Sequence, residues 1–229
     1  MRRVHPPSPQ DTTIAEAYAA PLGTRLDRPW VGLSMATSLD GSTVVDGQSG
    51  GLGNANDAAV FRQLRSLADV IIVGSGTARA EEYGPPSKPG QRVGVVTASG
   101  RLDLTSELFT SGSGFVITTE RTTLNGNDGI DVLRAGVDVV DLRTALGRLD
   151  QIHDGVSTVQ AEGGSTLNGA LLESDLIDEI NVTTAPLVIA GQGPRLAAGA
   201  DIRLRFDLAQ LAIDEDGYVF GRWVRRDRT

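Results

Sequence analysis

The residues best placed to do chemistry are Glu162-Gly163-Gly164-Ser165-Thr166-Leu167-Asn168. Two glycines at a strand end let the backbone approach an anion with no Cβ in the way. A helix opening directly behind them points free N–H groups and the positive end of its dipole at that anion. Ser165 and Thr166 add hydroxyl donors, and Glu162 puts a carboxylate at the edge of the turn. The bland alternative is a tight strand-to-helix turn with Ser165 as N-cap. No Gly-Lys-Ser/Thr occurs in the chain, so this is not a P-loop.

Three further groups stand out. Gly74-Ser75-Gly76-Thr77 follows the apolar run Val70-Ile71-Ile72-Val73 and begins like a dinucleotide fingerprint, but Arg79 stands where the third glycine belongs. It reads as a second anion-contacting turn at the carboxyl end of a parallel strand. Ser38-Leu39-Asp40-Gly41 is either a simple Asp-Gly turn or a carboxyl group able to move a proton beside a ligand. Arg65 and Arg79 are either solvated charges or a phosphate clamp near these turns. Gly47-Gln48-Ser49-Gly50-Gly51 matches the G-x-S-x-G nucleophile elbow of hydrolases. An elbow must run straight into a helix, whereas here Leu52-Gly53-Asn54 follows, and His153 is the sole histidine after it.

Composition narrows the class. The 229 residues carry a net charge of −8, which argues against nucleic acid as a partner. Without cysteine there is no thiolate nucleophile, disulfide or Cys-bound zinc. Lys88 is the single lysine beside 20 arginines and lies in a Pro-Ser-Lys-Pro-Gly turn, which discounts Schiff-base chemistry. No apolar stretch approaches a membrane span and the N-terminus lacks a signal-like region, so a cytoplasmic enzyme is the expectation.

The elements that must position these groups alternate between strand and helix. Residues 1–28 are Pro-rich and read as an arm, and residues 29–229 as one domain. Expected strands are Trp30–Ala36, Thr43–Val45, Val70–Val73, Val93–Thr97, Phe115–Thr119, Val137–Val140, Val156–Ala161, Glu179–Thr184, Ile202–Ile213 and Tyr218–Val224. Asn54 or Asn56 caps a helix whose apolar stripe is Val60, Phe61, Leu64, Leu67 and Ala68, with Arg65 off the stripe. Leu142–Ile152 and Ser165–Glu173 are the other helices. The sum is an α/β three-layer arrangement: a mostly parallel central sheet flanked by helices, with antiparallel C-terminal strands.

Taken in order, Ser38–Gly41, Asp46–Leu52, Arg65, Val73–Glu81, Arg79–Pro85 and Glu162–Gly169 resemble the pyrimidine reductases of riboflavin biosynthesis, in particular stand-alone actinobacterial proteins. That family is the reductase half of a bifunctional deaminase–reductase with a dihydrofolate-reductase-like fold. The resemblance covers about residues 29–225. It implies NADPH as cofactor, contacted by Ala36, Thr77, Glu81, Gly163, Gly164, Ser165, Thr166 and Leu167, with the diphosphate on the Gly-Gly turn. It implies a phosphorylated pyrimidine substrate met by Ser49, Arg65 and Glu162, with Arg65 on the ribose phosphate and Glu162 toward the ribosyl hydroxyls. The reaction would be hydride transfer to C1′ of a 5-amino-6-(5-phosphoribosylamino)pyrimidine, of the uracil-reductase type, with Asp40 and Glu162 as catalytic residues. No metal is implied, and a homodimer is.

The pattern also departs from the family. Ser34 sits where bacterial enzymes usually carry a lysine, Gly51 replaces a common tryptophan, and Glu81 holds a position that is commonly aspartate. No deaminase signature of the H-x-E or P-C-x-x-C kind occurs. Two alternatives therefore stand beside the leading reading: a dihydrofolate or pteridine reductase on the same fold, and a non-catalytic NADP-binding paralogue.

Overall fold

A computed structural model describes residues 1–8, 10–126 and 128–226. Its strands are β1 (Arg2–His5), β2 (Trp30–Thr37), β3 (Val70–Gly74), β4 (Arg92–Val96), β5 (Gly114–Thr118), β6 (Val132–Arg134), β7 (Thr158–Ala161), β8 (Glu179–Thr184), β9 (Phe206–Ile213) and β10 (Val219–Arg225). The helices are α1 (Ile14–Ala17), α2 (Ala55–Leu67), α3 (Ser75–Ala80), α4 (Glu107–Thr110), α5 (Leu142–Leu146) and α6 (Ser165–Glu173).

The strands form one sheet in the order β1-β9-β10-β8-β2-β7-β3-β4-β5-β6. From β8 to β6 every pairing is parallel, whereas β8–β10, β10–β9 and β9–β1 are antiparallel. The expected mostly parallel sheet with antiparallel C-terminal strands is what forms.

Both faces are covered, and β3 shows why its sequence lacks polar alternation. Val70 and Ile72 join the cluster under α5 and α6, with Leu33, Val159, Leu167 and Leu171. Ile71 and Val73 point the other way, into a cluster with Val93, Val95, Leu108 and Phe109. A strand with period-2 side chains buried on both faces must be apolar throughout. Each such residue contributes roughly 1.5–3 kcal/mol. A third cluster joins Val60 and Leu64 of α2 to Ala17, Tyr18, Ala212 and Phe220.

Several elements differ from expectation. Thr43–Val45 is not a strand; Val45 makes a single bridge to Gln48. The strand before α5 is Val132–Arg134 rather than Val137–Val140, because Val132 and Leu133 pair with β5 while Val137 and Val139 stand in solvent. The helix expected over Leu142–Ile152 breaks after Leu146 and resumes as a 3-10 turn, Leu149–Gln151. β9 begins at Phe206 rather than Ile202.

Residues 1–28 are woven into the domain. β1 adds an edge strand beside β9. Arg25 and Arg28 pair with the fully buried Asp178, which also accepts the Val31 N–H at 2.9 Å. Arg222, itself buried, donates to the Ala17 and Ala20 carbonyls and to Glu179. A weakly patterned segment is thus held by polar bonds, which hydrophobic periodicity cannot reveal.

Candidate active site

The parallel strands end at a cavity of about 1140 Å³. That exceeds the 300–1,000 Å³ typical of a single small-ligand pocket and suits two ligands meeting inside it. Eleven of the twelve residues singled out from sequence line it: Ala36, Ser49, Arg65, Thr77, Glu81, Glu162, Gly163, Gly164, Ser165, Thr166 and Leu167. These come from β2, the loop between β2 and α2, α2, α3 and its C-cap, the end of β7 and the start of α6, so the sheet's topology assembles them.

At one end the Gly163–Gly164 turn runs into α6. Gly163 sits at φ +84°, a left-handed conformation that L side chains rarely adopt, and is joined to Gly164 by a cis peptide bond. A Cβ on Gly164 would lie 2.6 Å from Thr77 Oγ1, and one on Gly74 would lie 3.2 Å from the Gly164 nitrogen. The Gly74 N–H donates to the Gly163 carbonyl at 2.7 Å. The three glycines thus let the starts of α3 and α6 touch. The N-cap of α6 is Gly164, not Ser165, and no side chain caps its first amides. That leaves N–H groups of a nine-residue helix directed at the cavity, the arrangement that binds a phosphate group. The residues present therefore fit a dinucleotide's diphosphate.

Further in, Arg65 and Glu162 meet each other. Arg65 Nε donates to Glu162 Oε1 and Nη2 to Oε2, both at 2.7 Å. Gln160 Nε2 donates to Oε1 at 3.1 Å, and Tyr83 Oη to Oε2 at 2.7 Å. Four donors saturate the carboxylate, whose side chain is 1% exposed. The Arg65 guanidinium also lies 4.4 Å from the Phe61 ring centroid and 5.4 Å from that of Tyr83. Burial pushes the Tyr83 phenol well above its ordinary pKa, and the Glu162 charge adds to this. Tyr83 is therefore a neutral donor throughout the physiological range. In this arrangement Glu162 is spent on Arg65, Gln160 and Tyr83, and two of the three Arg65 nitrogens are spent on Glu162.

Sequence reasoning left Tyr83, Gln160 and Phe61 without a role. Tyr83 stands within the Arg79–Pro85 segment, and Gln160 shares a strand face with Glu162 at i, i+2. Helical spacing assigns Phe61 to the core stripe of α2; it lines the cavity instead, while Val60 and Leu64 are buried.

Glu81 and Ser49 are linked across the mouth: the Ser49 N–H donates to Glu81 Oε1 at 2.8 Å. This places an expected cofactor-side residue on the loop expected to meet substrate. It also disposes of the hydrolase elbow. The Ser49 turn leads into α2 only at Ala55, and His153 is absent from the cavity lining.

Asp40 is the exception. It does not line the cavity. Its carboxylate accepts from Ser38 Oγ at 2.6 Å, from the Ile189 N–H at 3.1 Å and from the Ala190 N–H at 2.7 Å. These bonds, the Ser38 hydroxyl first, lower its pKa to about 2. A fully exposed carboxylate with that pKa is a poor proton donor near neutrality. What Asp40 does is tie two rim segments together, beside the Thr43 N–H bond to the Pro194 carbonyl. Thr43 and Pro194 do line the cavity.

Comparison with known proteins identifies the family. The family model of the RibD C-terminal domain matches residues 29–220. A 2,5-diamino-6-ribosylamino-4(3H)-pyrimidinone 5′-phosphate reductase from Methanothermobacter thermautotrophicus is 30% identical, over 85% of this chain and 94% of its own. The riboflavin biosynthesis protein RibD of Bacillus amyloliquefaciens is 27% identical, over 82% of this chain and 54% of its own. Among solved structures, a pyrimidine reductase-like protein from Corynebacterium diphtheriae superposes with a TM-score of 0.77 at 25% identity, covering 88% of this chain and 94% of that one. With its sheet order, its glycine-built helix start and a family match over most of its length, the chain belongs to the RibD C-terminal domain family: an oxidoreductase on a dihydrofolate-reductase-like fold.

Proposed function

We propose that the protein is an NADPH-dependent reductase that delivers a hydride to C1′ of a 5-amino-6-(5-phosphoribosylamino)pyrimidine, giving the ribitylamino product. The observation that carries this reading is the meeting, in one cavity, of the Gly163–Gly164 anion cradle and the Arg65 guanidinium. Within the lining, Arg65 and Arg79 are the two cations among the described residues.

When bound, the reduced nicotinamide supplies the hydride. The chain's own residues do the rest. Gly163, Gly164 and the first amides of α6 hold the diphosphate, while Thr77 and Leu167 pack beside it. Arg79 lines the cavity and donates from one guanidinium nitrogen to the Arg101 carbonyl at 2.8 Å; its charge suits an additional phosphate on the cofactor and so favours NADPH over NADH. Arg65 offers its remaining nitrogen to the sugar phosphate while Glu162 fixes its plane. Glu162 puts negative charge beside the sugar carbon as positive charge develops there. As C1′ accepts the hydride its bond to the ring oxygen opens, and that oxygen takes a proton. Asp40 acts at a distance, by holding the cavity rim.

The test is direct. Thermal shift with NADPH, NADH and folates, followed by reduced-nicotinamide absorbance with the phosphoribosylamino compound, should give stabilisation by NADPH above NADH and substrate-dependent oxidation. No stabilisation by either nicotinamide well above a micromolar Kd overturns the reading. The reading includes a cytoplasmic homodimer, which light scattering tests as twice the 24.1 kDa chain mass.

A further inference from the structure

The family match begins at residue 29, and residues 1–28 lie outside it. Their path through the fold leads to the back of the candidate active site. α1 has only four residues, too few to hold a helix by propagation alone. A capping box closes it: the Glu16 N–H donates to Thr13 Oγ1 at 3.2 Å and the Thr13 N–H to Glu16 Oε2 at 2.9 Å. The short helix delivers Ala17 and Tyr18 to the interior, where they are 4% and 1% exposed.

Tyr18 lies between the antiparallel strands and α2. It packs in one cluster with Val60 and Leu64 of α2 and Phe220 of β10, and the Arg222 guanidinium stands 4.8 Å from its ring centroid. Gln63 Nε2 donates to the Tyr18 carbonyl at 3.1 Å, a second hold on the same stretch of helix. Val60 and Leu64 are spaced i, i+4, and Phe61 and Arg65 follow them by one residue, a rotation of about 100° around the helix. The stretch that Tyr18 and Gln63 hold from behind is therefore the one that presents Phe61 and Arg65 to the cavity. The ends of α2 have other fastenings. Asn54 and Asn56 donate to Asp214 at 2.8 and 3.0 Å, and Gln91 Nε2 donates to the Arg65 and Ala68 carbonyls, both at 2.7 Å. Its middle rests on β2 and β7 on one side and on the arm on another.

The arm also reaches behind Glu162, the partner of Arg65. Pro21 shares a pocket of about 20 Å³ with Trp30, Gln160, Glu179 and Asn181. Gln160 is the residue that donates to Glu162 Oε1. Arg222, which donates to the Ala17 and Ala20 carbonyls, also donates to Asn181 Oδ1 at 3.2 Å. Both members of the Arg65–Glu162 pair thus have the arm at their back. The dinucleotide cradle is supported elsewhere: α3 packs on β3 and β4, and α6 on β3.

We infer that the arm is the back wall of the substrate half of the site, and that Tyr18 is a positioning residue, setting Phe61 and Arg65 through α2 while touching neither ligand. This role rests on the reductase reading for its substrate and lies outside the span of the family match. A misplacement of about 1 Å caused far from the chemistry costs on the order of 100-fold. Loss of the Tyr18 ring therefore shows in the handling of substrate and not in the binding of the cofactor.

Full-length Tyr18→Leu, Tyr18→Phe and Gln63→Ala are compared with the wild type by steady-state kinetics on the phosphoribosylamino compound and by calorimetric titration of NADPH. Tyr18→Leu should raise KM for the substrate at least about tenfold, with kcat within about threefold and the NADPH Kd within about twofold. Tyr18→Phe keeps the ring and should keep the wild-type KM. Gln63→Ala removes a half-buried side chain outside the core, and should raise KM by about threefold or more. A chain that is only destabilised behaves otherwise, because a smaller folded fraction lowers the apparent kcat and leaves KM where it was. Arg28→Gln supplies that comparison by weakening the arm at Asp178, away from α2. It should lower the melting temperature and leave KM within about twofold. An unchanged KM in Tyr18→Leu, or an equal rise in Arg28→Gln, overturns the inference. If Tyr18→Leu does not fold, an unchanged KM in Gln63→Ala overturns it. Amide exchange separates this inference from the reductase reading. With no turnover by the wild type that reading fails, whereas exchange in the middle of α2 should still rise at least about threefold in Gln63→Ala and stay unchanged in α6. Equal protection of α2 in Gln63→Ala and the wild type then removes the role of the arm.

Discussion

Arg65 and Glu162 act as a unit, and this alters what a substitution at either one reports. Removing the guanidinium strands a carboxylate whose side chain is 1% exposed. We expect Arg65→Ala to cost about 3–5 kcal/mol in urea unfolding, as for a broken buried ion pair. Arg65→Ala/Glu162→Gln should recover most of that loss while binding of a phosphorylated ligand stays weak. Recovery of both together would mean that Arg65 contributes stability only. Tyr83→Phe leaves Glu162 one donor short, and kcat/KM should fall by about 10- to 150-fold, the worth of a charge-assisted bond of about 1.5–3 kcal/mol. An unchanged value would remove the phenol from the site.

At the level of elements, the glycine contact between α3 and α6 is the feature most exposed to a single methyl group. Gly164→Ala puts a Cβ 2.6 Å from Thr77 Oγ1, and NADPH affinity should drop at least about tenfold by calorimetry. Adding Thr77→Ala should restore part of it, because the clash is with that hydroxyl. If the double variant binds no better, the loss comes from the turn itself. The Asp40 clamp is an element-scale device as well. Its folded pKa is lowered to about 2, so its contribution is present above the ordinary carboxylate value of about 4 and is lost as pH falls through about 2. Asp40→Asn should leave the hydride-transfer rate within about twofold while speeding amide exchange at Ile189 and Ala190. A collapse of the rate with unchanged exchange would return Asp40 to the chemistry.

On the scale of the molecule, residues 1–28 complete the antiparallel half of the sheet and close a network of buried charges. Asp178 serves Arg25, Arg28 and the Val31 amide, and Glu179 serves Arg222, Trp30 and the Leu22 amide. Deleting residues 1–28 should therefore lower the melting temperature by well over 5 °C, since each unpaired buried charge costs several kcal/mol. A truncated chain with wild-type stability would show the segment to be a dispensable arm. Light scattering of both forms would show at the same time whether the segment affects assembly.

The parallel sheet and the positions of β3, β8 and α6 were legible because one-dimensional patterns determine them. A strand buried on both faces must be apolar, and a helix behind two glycines must start where they end. The sequence also carried the ordered motifs, and with them the family; of the twelve residues they single out, all but Asp40 line the cavity. Tertiary structure decided the rest. Whether Phe61 packs in the core or faces a ligand depends on where α2 crosses the sheet, and helical spacing alone leaves that open. Arg65 pairs with Glu162, 97 positions away, because β7 lies beside β3, and no local signal encodes that distance. Asp40 is turned onto a loop some 150 positions distant. Periodicity and turn chemistry are local and survive in the sequence; the partner of a charged group is set by long-range packing, and only the folded chain reveals it.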